Sequence, residues 1–433
     1  MTTQATIPPT TPATGTRLIA CHECDLLQRE TPLTGESVLR CCRCGAELYR
    51  NHPDSLDRAL AFTLTSVVLF VISNVYPIVG LAVNGQLVET TLLGAVRILY
   101  DDGMWPIAAL VFATTFLMPL LQIATMTYLL TPLRLHRRPY HADVVFRLMQ
   151  LARPWGMTEV LILGMLVALV KLAHIASVVP GVALWSFGTL MLLLAAASSA
   201  FDPHQLWQRM GDRYSGAPDP DQTAVPSART ALANGLMTCH TCGLLTKSDA
   251  HPHDAGCPRC GAHLHPRKPA SYSRTWAFLI AAMVLYIPAN VLPVMNTSSL
   301  FGSQKDTILS GVAYLWTSGS WPLALVVFIA SIAVPMLKII AIMYLVISAQ
   351  WRSTTLLQQR TRIYRLVELV GRWSMLDIYV ITILVALVQF SALATIQAGP
   401  AAVAFGAVVV LTMFAAMSFD PRLTWDATEA HHG

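Results

Sequence analysis

Cys41-Cys42-Arg43-Cys44-Gly45-Ala46 reappears 216 residues later as Cys257-Pro258-Arg259-Cys260-Gly261-Ala262, and this pair of stretches decides how the chain is organised. At the same offset, Asn74-Val75-Tyr76-Pro77 matches Asn290-Val291-Leu292-Pro293. A tandem duplication explains such matches, and chance does not. We therefore predict one structural unit that is present twice.

The second part of each unit repeats at a slightly larger offset. Phe201-Asp202-Pro203 matches Phe419-Asp420-Pro421 at an offset of 218, which indicates a two-residue slip in one loop. Trp105-Pro106 and Trp321-Pro322 match at the earlier offset of 216. The slip therefore falls between the Trp-Pro motif and the Phe-Asp-Pro motif.

The composition predicts an integral membrane protein. Of the 433 residues, 54% are hydrophobic and only 12% are charged, and the mean hydropathy is +0.53. Soluble domains carry about 25% charged residues. These values exclude a water-soluble enzyme and a disordered protein. The net charge of +5 does not form a basic stripe on a soluble domain, so we expect no nucleic-acid partner.

Long apolar runs predict eight transmembrane helices, four in each half, and an all-α membrane fold. A helix needs about 20 apolar residues to cross the hydrocarbon. Pro180-Gly181 and Gly399-Pro400 each split a long run into two spans joined by a tight turn. The runs are 59–83, 103–133 and 160–201 in the first half, and 275–304, 307–351 and 378–419 in the second.

The predicted organisation alternates small cysteine modules with helical units. A Thr/Pro-rich tail comes first, and a Pro/Asp/Ala-rich linker, expected to be mobile, joins the two halves. The predicted segments are 1–16 (disordered tail), 17–52 (first module), 55–205 (first helical unit), 206–234 (linker), 235–268 (second module), 270–422 (second helical unit) and 423–433 (C-terminal tail).

Arginine placement predicts the orientation. Residues 131–155 contain five arginines, and 349–373 contain five more. The opposite loops, 84–102 and 297–320, are poor in positive charge. By the positive-inside rule, both termini, both modules and the linker lie in the cytoplasm.

Eight of the nine cysteines form CxxC pairs, two pairs in each module. Four thiolates at this spacing bind one ion tetrahedrally at about 2.3 Å, and a closed all-thiolate site is structural. We therefore predict two zinc ribbons and two zinc ions, although a redox CxxC and an iron site remain alternatives. The predicted ligands are Cys21, Cys24, Cys41 and Cys44, and Cys239, Cys242, Cys257 and Cys260. Cys42 is surplus.

A few ionisable residues lie inside the predicted spans, where such groups are functional candidates. Lys338 is seven residues after Ser331, on one helical face, and Asp377 lies at a similar predicted depth. A Lys338–Asp377 pair, with Thr412 as a polar neighbour, is one interpretation. The alternative is that Asp377 caps a helix and Lys338 extends to the interface.

The first half has a different set of polar residues. Lys171 and His174 share one helical face at i and i+3. His174 is either a proton-sensitive group or a satisfied interior histidine. No second Lys–Asp pair arises there, because Gln122 and Glu159 occupy the equivalent positions.

The duplicated double CxxC module followed by four spans, with the Asn-x-x-Pro, Trp-Pro and Phe-Asp-Pro motifs, resembles the paraquat-inducible protein A family. The two-unit layout resembles its LetA (YebS) branch. The resemblance implies a bacterial inner-membrane component of an MCE lipid transport system. Its implied partners are a periplasmic MCE-domain tunnel protein (LetB- or YebT-like) and phospholipid, carried between the inner and outer membranes. The family's intramembrane polar cluster would fall on Ser331, Lys338, Asp377 and Thr412.

The expected function is lipid transport, in which the Lys338–Asp377 pair couples proton movement or a conformational change to lipid release. No nucleophile–base arrangement and no phosphate-binding loop occurs in the sequence, so we expect a protein that is not an enzyme. Two alternatives stay open. One is a membrane thiol-redox protein, and the other is a passive scaffold that anchors the MCE partner.

Overall fold

The structure is a computed structural model. It describes residues 18–31, 37–51, 54–83, 86–137, 139–172, 177–210, 229–247, 256–299, 302–317, 319, 321–387, 389–390 and 394–428. The predicted tail at 1–16 lies outside these residues, as does 211–228 of the predicted linker.

The described residues form helices and short strands. The helices are α1 (Ser55–Val75), α2 (Leu92–Asp101), α3 (Trp105–Phe112), α4 (Met118–Arg134), α5 (Ala142–Ala152), α6 (Thr158–Leu172), α7 (Val182–Ala200), α8 (Pro203–Met210), α9 (Ser271–Val291), α10 (Ile308–Thr317), α11 (Trp321–Phe328), α12 (Val334–Gln350), α13 (Leu357–Trp373), α14 (Leu376–Leu387) and α15 (Pro400–Ser418). The strands are β1 (Leu18–Ala20), β2 (Leu27–Arg29), β3 (Ser37–Arg40), β4 (Glu47–Asn51), β5 (Val79–Val83), β6 (Gln86–Thr90), β7 (Ser177–Pro180), β8 (Leu236–Thr238), β9 (Leu245–Lys247), β10 (Met295–Ser299), β11 (Gly302–Asp306), β12 (Gln389–Phe390) and β13 (Ala394–Ala398).

The chain divides into two compact units. The cysteine unit combines Met1–Pro53 with Gly211–Pro266, so the two cysteine modules belong together despite their separation in sequence. The helical unit combines Asp54–Met210 with Arg267–Gly433. Each unit is thus assembled from both halves of the chain.

The helical unit is built from matching helix pairs. In the first half α1 packs against α7 and α4, and in the second half α9 packs against α15 and α12. The halves meet where α14 packs against α6, α2 and α3. Gly164 permits close approach there, because a methyl group at its Cα would lie only 3.2 Å from the Leu376 carbonyl oxygen.

Among the described residues, seven helices are long and apolar enough to cross a membrane, one fewer than the eight predicted. The difference lies in the predicted span that begins at 378. There α14 has 12 residues and a length of about 18 Å, against a hydrocarbon core of about 30 Å. The seven are Ser55–Val75, Trp105–Arg134, Ala142–Leu169, Val182–Ala200, Ser271–Val291, Ala324–Gln350 and Pro400–Ser418.

The all-α expectation was wrong for the helical unit, which also contains two antiparallel sheets. The first has the order β6-β5-β7, and the second has the order β11-β10-β13-β12. Asn84-Gly85, between β5 and β6, is a dipeptide typical of hairpins. The predicted tight helical hairpins at Pro180-Gly181 and Gly399-Pro400 are replaced by a strand that leads into α7 or α15.

Gly181 and Gly399 hold these strands close to the end of the first helix in each half. The Gly181 N–H donates to the Ile78 carbonyl at 2.9 Å, and the Gly399 N–H donates to the Val294 carbonyl at 2.7 Å. A Cβ atom at Gly399 would overlap the Pro293 carbonyl oxygen, and one at Gly181 would overlap that of Pro77. Both positions therefore require glycine.

Each half also contains one π-helical turn, which the sequence analysis did not predict. Ala113–Leu117 joins α3 to α4, and Ile329–Ala333 joins α11 to α12. These turns are equivalent at the offset of 216. π-Turns inside α-helices are uncommon and occur frequently at functional sites.

Parts of the segments predicted as connections are packed. Residues 206–210 lie in α8, where Leu206 and Trp207 are buried. Within the predicted C-terminal tail, 423–428 form short helical turns and Trp425 is buried, whereas 429–433 lie outside the described residues.

Candidate functional site

The four CxxC pairs form turns with the same backbone hydrogen bonds. In each, the N–H of the residue after the second cysteine donates to the carbonyl of the first, at 2.7–2.9 Å. That residue has a positive φ in all four turns: Asp25 at 60°, Gly45 at 72°, Gly243 at 72° and Gly261 at 67°. The sequence places glycine where this conformation needs it, except at Asp25.

These turns bring the eight predicted cysteines into two clusters of four sulfurs. Two Sγ–Sγ distances are 3.5 Å in the first module, and two are 3.6 Å in the second. All four sulfurs of a cluster lie within 4.8 Å of one another. A tetrahedral ion with 2.3 Å bonds would separate its sulfur ligands by about 3.8 Å. The clusters could therefore each hold a metal ion.

The electrostatics of the clusters favour a bound cation. Hydrogen bonding to Cys21, Cys24 and Cys44 lowers the pKa of the Cys41 thiol. Contact with the same cluster raises the pKa of Cys24, because hydrogen bonds and burial favour its protonated form. Four crowded sulfurs do not all ionise unaided, whereas a cation that they share stabilises every thiolate.

Among the described residues, both groups of potential ligand atoms contain only cysteines, and the Glu23 carboxylate accepts a hydrogen bond from Cys44 Sγ at 3.8 Å. Cys42 is exposed. The imidazole rings of His263 and His265 have centroids 6.4 Å apart, and those of His240 and His265 lie 6.5 Å apart. The four cysteines thus form a complete donor set in each module.

Asp25 joins the two modules, which explains why it replaces the glycine of the other turns. Its carboxylate accepts a hydrogen bond from the Leu232 N–H at 3.2 Å, and its carbonyl accepts one from the Ala231 N–H at 3.0 Å. Leu26 forms a β-bridge with Thr230. The end of the predicted linker is thus part of the cysteine unit. The sequence analysis missed this contact.

In the helical unit, the predicted polar residues Ser331, Lys338 and Thr412 are all buried, at 2%, 3% and 1% exposure. Lys338 lies on α12, and its Nζ makes no hydrogen bond to any described residue. A methyl group on Gly371 of α13 would lie 3.2 Å from that Nζ. The Nζ atom of Lys338 is therefore buried beside α13, and both interpretations of this residue stay predictions.

The side chains of three predicted residues lie outside the part of the chain that the structure describes. Asp377 lies in α14 and Lys171 in α6, but their side chains are outside the described part of the chain. His174 is outside it entirely. The Lys338–Asp377 pair thus stays a prediction. The Ser374 hydroxyl, three residues before Asp377, has no hydrogen-bond partner among the described atoms.

Tyr379 is a residue that the sequence analysis missed. Its side chain is fully buried in α14, and its hydroxyl donates to Thr114 Oγ1 at 2.9 Å. Thr114 lies in the first π-turn, so this bond links the two halves of the chain. Its only signal in the sequence is a tyrosine inside an apolar run, which needs a hydrogen-bond partner when buried.

A cluster of charged residues lies at the C-terminal end of α15. The Asp420 carboxylate accepts bonds from the Lys268 N–H at 3.0 Å and from Arg422 Nε and Nη2 at 3.0 and 2.9 Å. Burial alone would raise the pKa of Asp420, but hydrogen bonds and charge from Arg422 lower it. The repeated Phe-Asp-Pro motif is therefore architectural in the second half.

The chain is similar to known proteins along nearly its whole length. The sequence profile of the family described as "Paraquat-inducible protein A" matches residues 56–211 and again 272–429. "Intermembrane transport protein PqiA" of Escherichia coli is 34% identical over 412 residues, covering 94% of this chain and 95% of that protein. "Lipophilic envelope-spanning tunnel protein A" of Escherichia coli is 31% identical over 413 residues, covering 95% and 91%.

A relative from another organism matches over a similar length. "Probable intermembrane transport protein" of Haemophilus influenzae is 27% identical over 412 residues, covering 94% of this chain and 96% of that protein. These identities do not single out the tunnel protein A branch within the group. No solved structure matches the chain significantly.

Proposed function

The chain belongs to the paraquat-inducible protein A family, and from that premise we propose that it is an inner-membrane protein that moves phospholipid between the two membranes of a bacterial envelope. The observation that carries this proposal is the match to relatives named as intermembrane transport and envelope-spanning tunnel proteins, over more than nine-tenths of both chains. The seven described helices that are long and apolar enough to cross a membrane support the same function. A periplasmic MCE-domain tunnel protein is the proposed partner.

The proposed orientation places the cysteine unit in the cytoplasm. The arginine-rich segments 131–155 and 349–373 support it through the positive-inside rule. The reducing cytoplasm keeps thiolates free to bind metal. In this orientation, the two sheets of the helical unit lie at the periplasmic end of the spans, where the tunnel partner would dock.

Zinc is the proposed ion in both clusters, with a structural role. Four cysteine sulfurs complete a tetrahedral shell and leave no open position for a substrate. Modules of this size bury few apolar residues, and the core that they share contains Ala20, Ala231, Leu236 and Leu245. Bound zinc therefore supplies folding energy that this small core does not.

Purified full-length protein is expected to contain two zinc ions per chain, and Cys24→Ser should reduce this number to one. Cys42→Ser is the matched control, because Cys42 is exposed and outside the cluster, and it should retain both ions. Elemental analysis with protein quantification measures the ratio. Wild-type protein without metal and with cross-linked CxxC pairs would instead support the thiol-redox function.

Lys338 is the proposed polar centre of transport in the second half. A buried amine without a hydrogen-bond partner among the described residues is costly inside an apolar helix, and such groups are retained for function by default. We propose that its charge state, paired with Asp377, couples proton movement or a conformational change to lipid release. Gln122 occupies the equivalent position in the first half and instead donates to Ser198 Oγ at 2.8 Å.

Lys338→Met is expected to abolish lipid transfer in protein that still folds, with a lower unfolding midpoint because the substitution leaves the proposed partner Asp377 without its counter-charge. Gln122→Met is the matched control in the first half and should retain transfer. Transfer of labelled phospholipid from proteoliposomes to acceptor vesicles, with thermal unfolding measured in parallel, checks both effects. Full transfer by Lys338→Met would exclude the coupling and favour the passive scaffold.

The proposed function is tested most directly by co-purification. The full chain is isolated in mild detergent from cells that also express an MCE-domain protein, and bound lipids are identified by mass spectrometry. We expect a complex that carries phospholipid above the level in the surrounding membrane. Recovery of the chain without either partner or lipid enrichment would contradict the proposal.

A further inference from the structure

Two amphipathic helices of the helical unit are equivalent in sequence. α5 and α13 align at the offset of 218, where Arg147-Leu148 matches Arg365-Leu366. Each follows a helix that is long and apolar enough to cross a membrane and packs against it: α5 packs on α4, and α13 packs on α12. The two helices lie within the arginine-rich segments 131–155 and 349–373. Each half therefore carries the same kind of amphipathic helix at the arginine-rich end of a spanning helix.

Both helices expose leucines at equivalent positions. Leu148 and Leu151 of α5 are 38% and 63% exposed, and their counterparts Leu366 and Leu369 of α13 are 58% and 52% exposed. Residues three and four apart share one face of a helix, and the exposed Trp373 continues this face in α13. We refer to Leu366, Leu369 and Trp373 as the α13 stripe. An exposed apolar face of this kind marks a surface that contacts a partner or a membrane.

Contacts of α13 show how it is placed along the spanning helices. Thr361 Oγ1 accepts a hydrogen bond from Trp425 Nε1 at 3.1 Å, and Trp425 lies beyond the end of α15, which is long enough to cross a membrane. Further along α13, Gly371 lies beside Lys338 Nζ, about three helical turns before the end of α12. The first part of α13 therefore lies near the membrane surface, and its last part lies deeper.

Arg362 lies at the surface end of the α13 stripe. Its side chain is exposed, one helical turn before Leu366, and no described residue pairs with its guanidinium group. From the surface inward, α13 thus presents a cation and then an apolar face, which is the order of phosphate and acyl chains in a phospholipid. At the equivalent position, α5 has Val144, which is 47% exposed. The cation is therefore specific to the second half.

We propose that Arg362 and the α13 stripe bind an anionic phospholipid, with its phosphate on the Arg362 guanidinium and its acyl chains on Leu366 and Leu369. The equivalent face of α5 contacts acyl chains without selecting the headgroup. Arginine binds phosphate oxygens through paired, charge-assisted hydrogen bonds, and basic segments beside spanning helices attract anionic lipids. The inference requires that α12 and α15 cross a membrane, and it does not require that the chain transports lipid.

Charge favours a lipid over a second copy of the chain as the occupant of this surface. Residues 349–373 contain five arginines and one acidic residue, Glu368. Two copies that met through their α13 stripes would bring these like charges together, whereas an anionic lipid neutralises them. The mixture of arginine with leucine and tryptophan is also typical of helices at a membrane surface.

Site-specific photo-crosslinking tests the proposal on the full chain in nanodiscs. A genetically encoded photo-crosslinking amino acid replaces the exposed Leu366, and the nanodiscs contain equal amounts of phosphatidylglycerol and phosphatidylcholine. Mass spectrometry identifies the adducts. We expect phosphatidylglycerol adducts to exceed phosphatidylcholine adducts about five-fold, which is the preference that one arginine gives near an anionic membrane surface. Equal yields of the two lipids, or adducts to a second copy of the chain in their place, would overturn the proposal.

Matched variants separate Arg362 from the general charge of the protein. Arg362→Gln should bring the adduct ratio at position 366 close to one. Arg97→Gln removes an arginine of α2 whose side chain is 85% exposed, and it should leave that ratio unchanged. A crosslinker at position 148 should give lipid adducts without a preference, and Val144→Arg should create one there. An unchanged ratio in Arg362→Gln would overturn the assignment of the phosphate to Arg362.

Discussion

Replacing Gly399 with alanine is expected to prevent folding of the helical unit, with a loss of more than about 4 kcal/mol in the free energy of unfolding. The added methyl group would overlap the Pro293 carbonyl oxygen, which is backbone and does not rotate away. The hydrogen bond from the Gly399 N–H to the Val294 carbonyl fixes this approach at 2.7 Å. Relief of the overlap would require α15 to leave the end of α9.

Gly181→Ala should have the same effect in the first half, because its methyl group would meet the Pro77 carbonyl. Gly188→Ala is the matched control: Gly188 lies inside α7 and has no atom within 4 Å of an added Cβ. That control should gain up to about 1 kcal/mol from helix propensity. Yield of folded protein in detergent and its unfolding midpoint are measured. A folded Gly399→Ala variant with a wild-type midpoint would contradict the steric argument.

The second large effect is expected at the charged cluster after α15. Asp420→Asn should cost about 3–5 kcal/mol, because it leaves Arg422 buried without its counter-charge. Asp420 and Arg422 are only 1% and 5% exposed, so water does not replace the lost interaction. Asp202→Asn is the matched control in the first half. Asp202 is half-buried and caps the backbone through the His204 N–H at 2.9 Å, so its loss should be smaller.

The same carboxylate predicts a pH dependence of stability. The pKa of Asp420 is lowered below its ordinary value of 3.8, so the folded state releases its proton more readily than the unfolded state does. Its stabilisation is therefore complete above pH 3.8 and is lost as the pH falls through the folded pKa. Thermal midpoints measured from neutral to acid pH should fall more steeply for wild type than for Asp420→Asn. Parallel curves would contradict this assignment.

The sequence was most informative where function depends on local spacing. CxxC spacing predicted which sulfurs would meet, because each turn needs only four or five consecutive residues. The union of the two modules was not predictable in this way. It depends on contacts between residues more than 200 positions apart, such as the bond from the Leu232 N–H to the Asp25 carboxylate and the β-bridge between Leu26 and Thr230.

The sheets and the short α14 were missed for a different reason. Hydropathy measures the length of an apolar run but not its conformation, so strands β12 and β13 were counted with the apolar residues of α14. The position of Lys338 in an apolar run left open whether its amine pairs with Asp377 or extends to the interface. The contact between Lys338 and Gly371 was not predictable, because only the packing of α13 on α12 brings these two residues together.

The contact between Asp25 and residues 231–232 has a consequence for biosynthesis. The amino-terminal module emerges from the ribosome with its cysteines complete, but its packing partner lies roughly 200 residues downstream. At about 5–20 residues per second, the module waits on the order of 10–40 s, while the first set of helices enters the bilayer. During that interval the proposed ion would stabilise the nascent module, which otherwise has only the β1–β2 and β3–β4 pairs among its described residues. Metal supply at the translating ribosome should therefore influence how much of the chain matures.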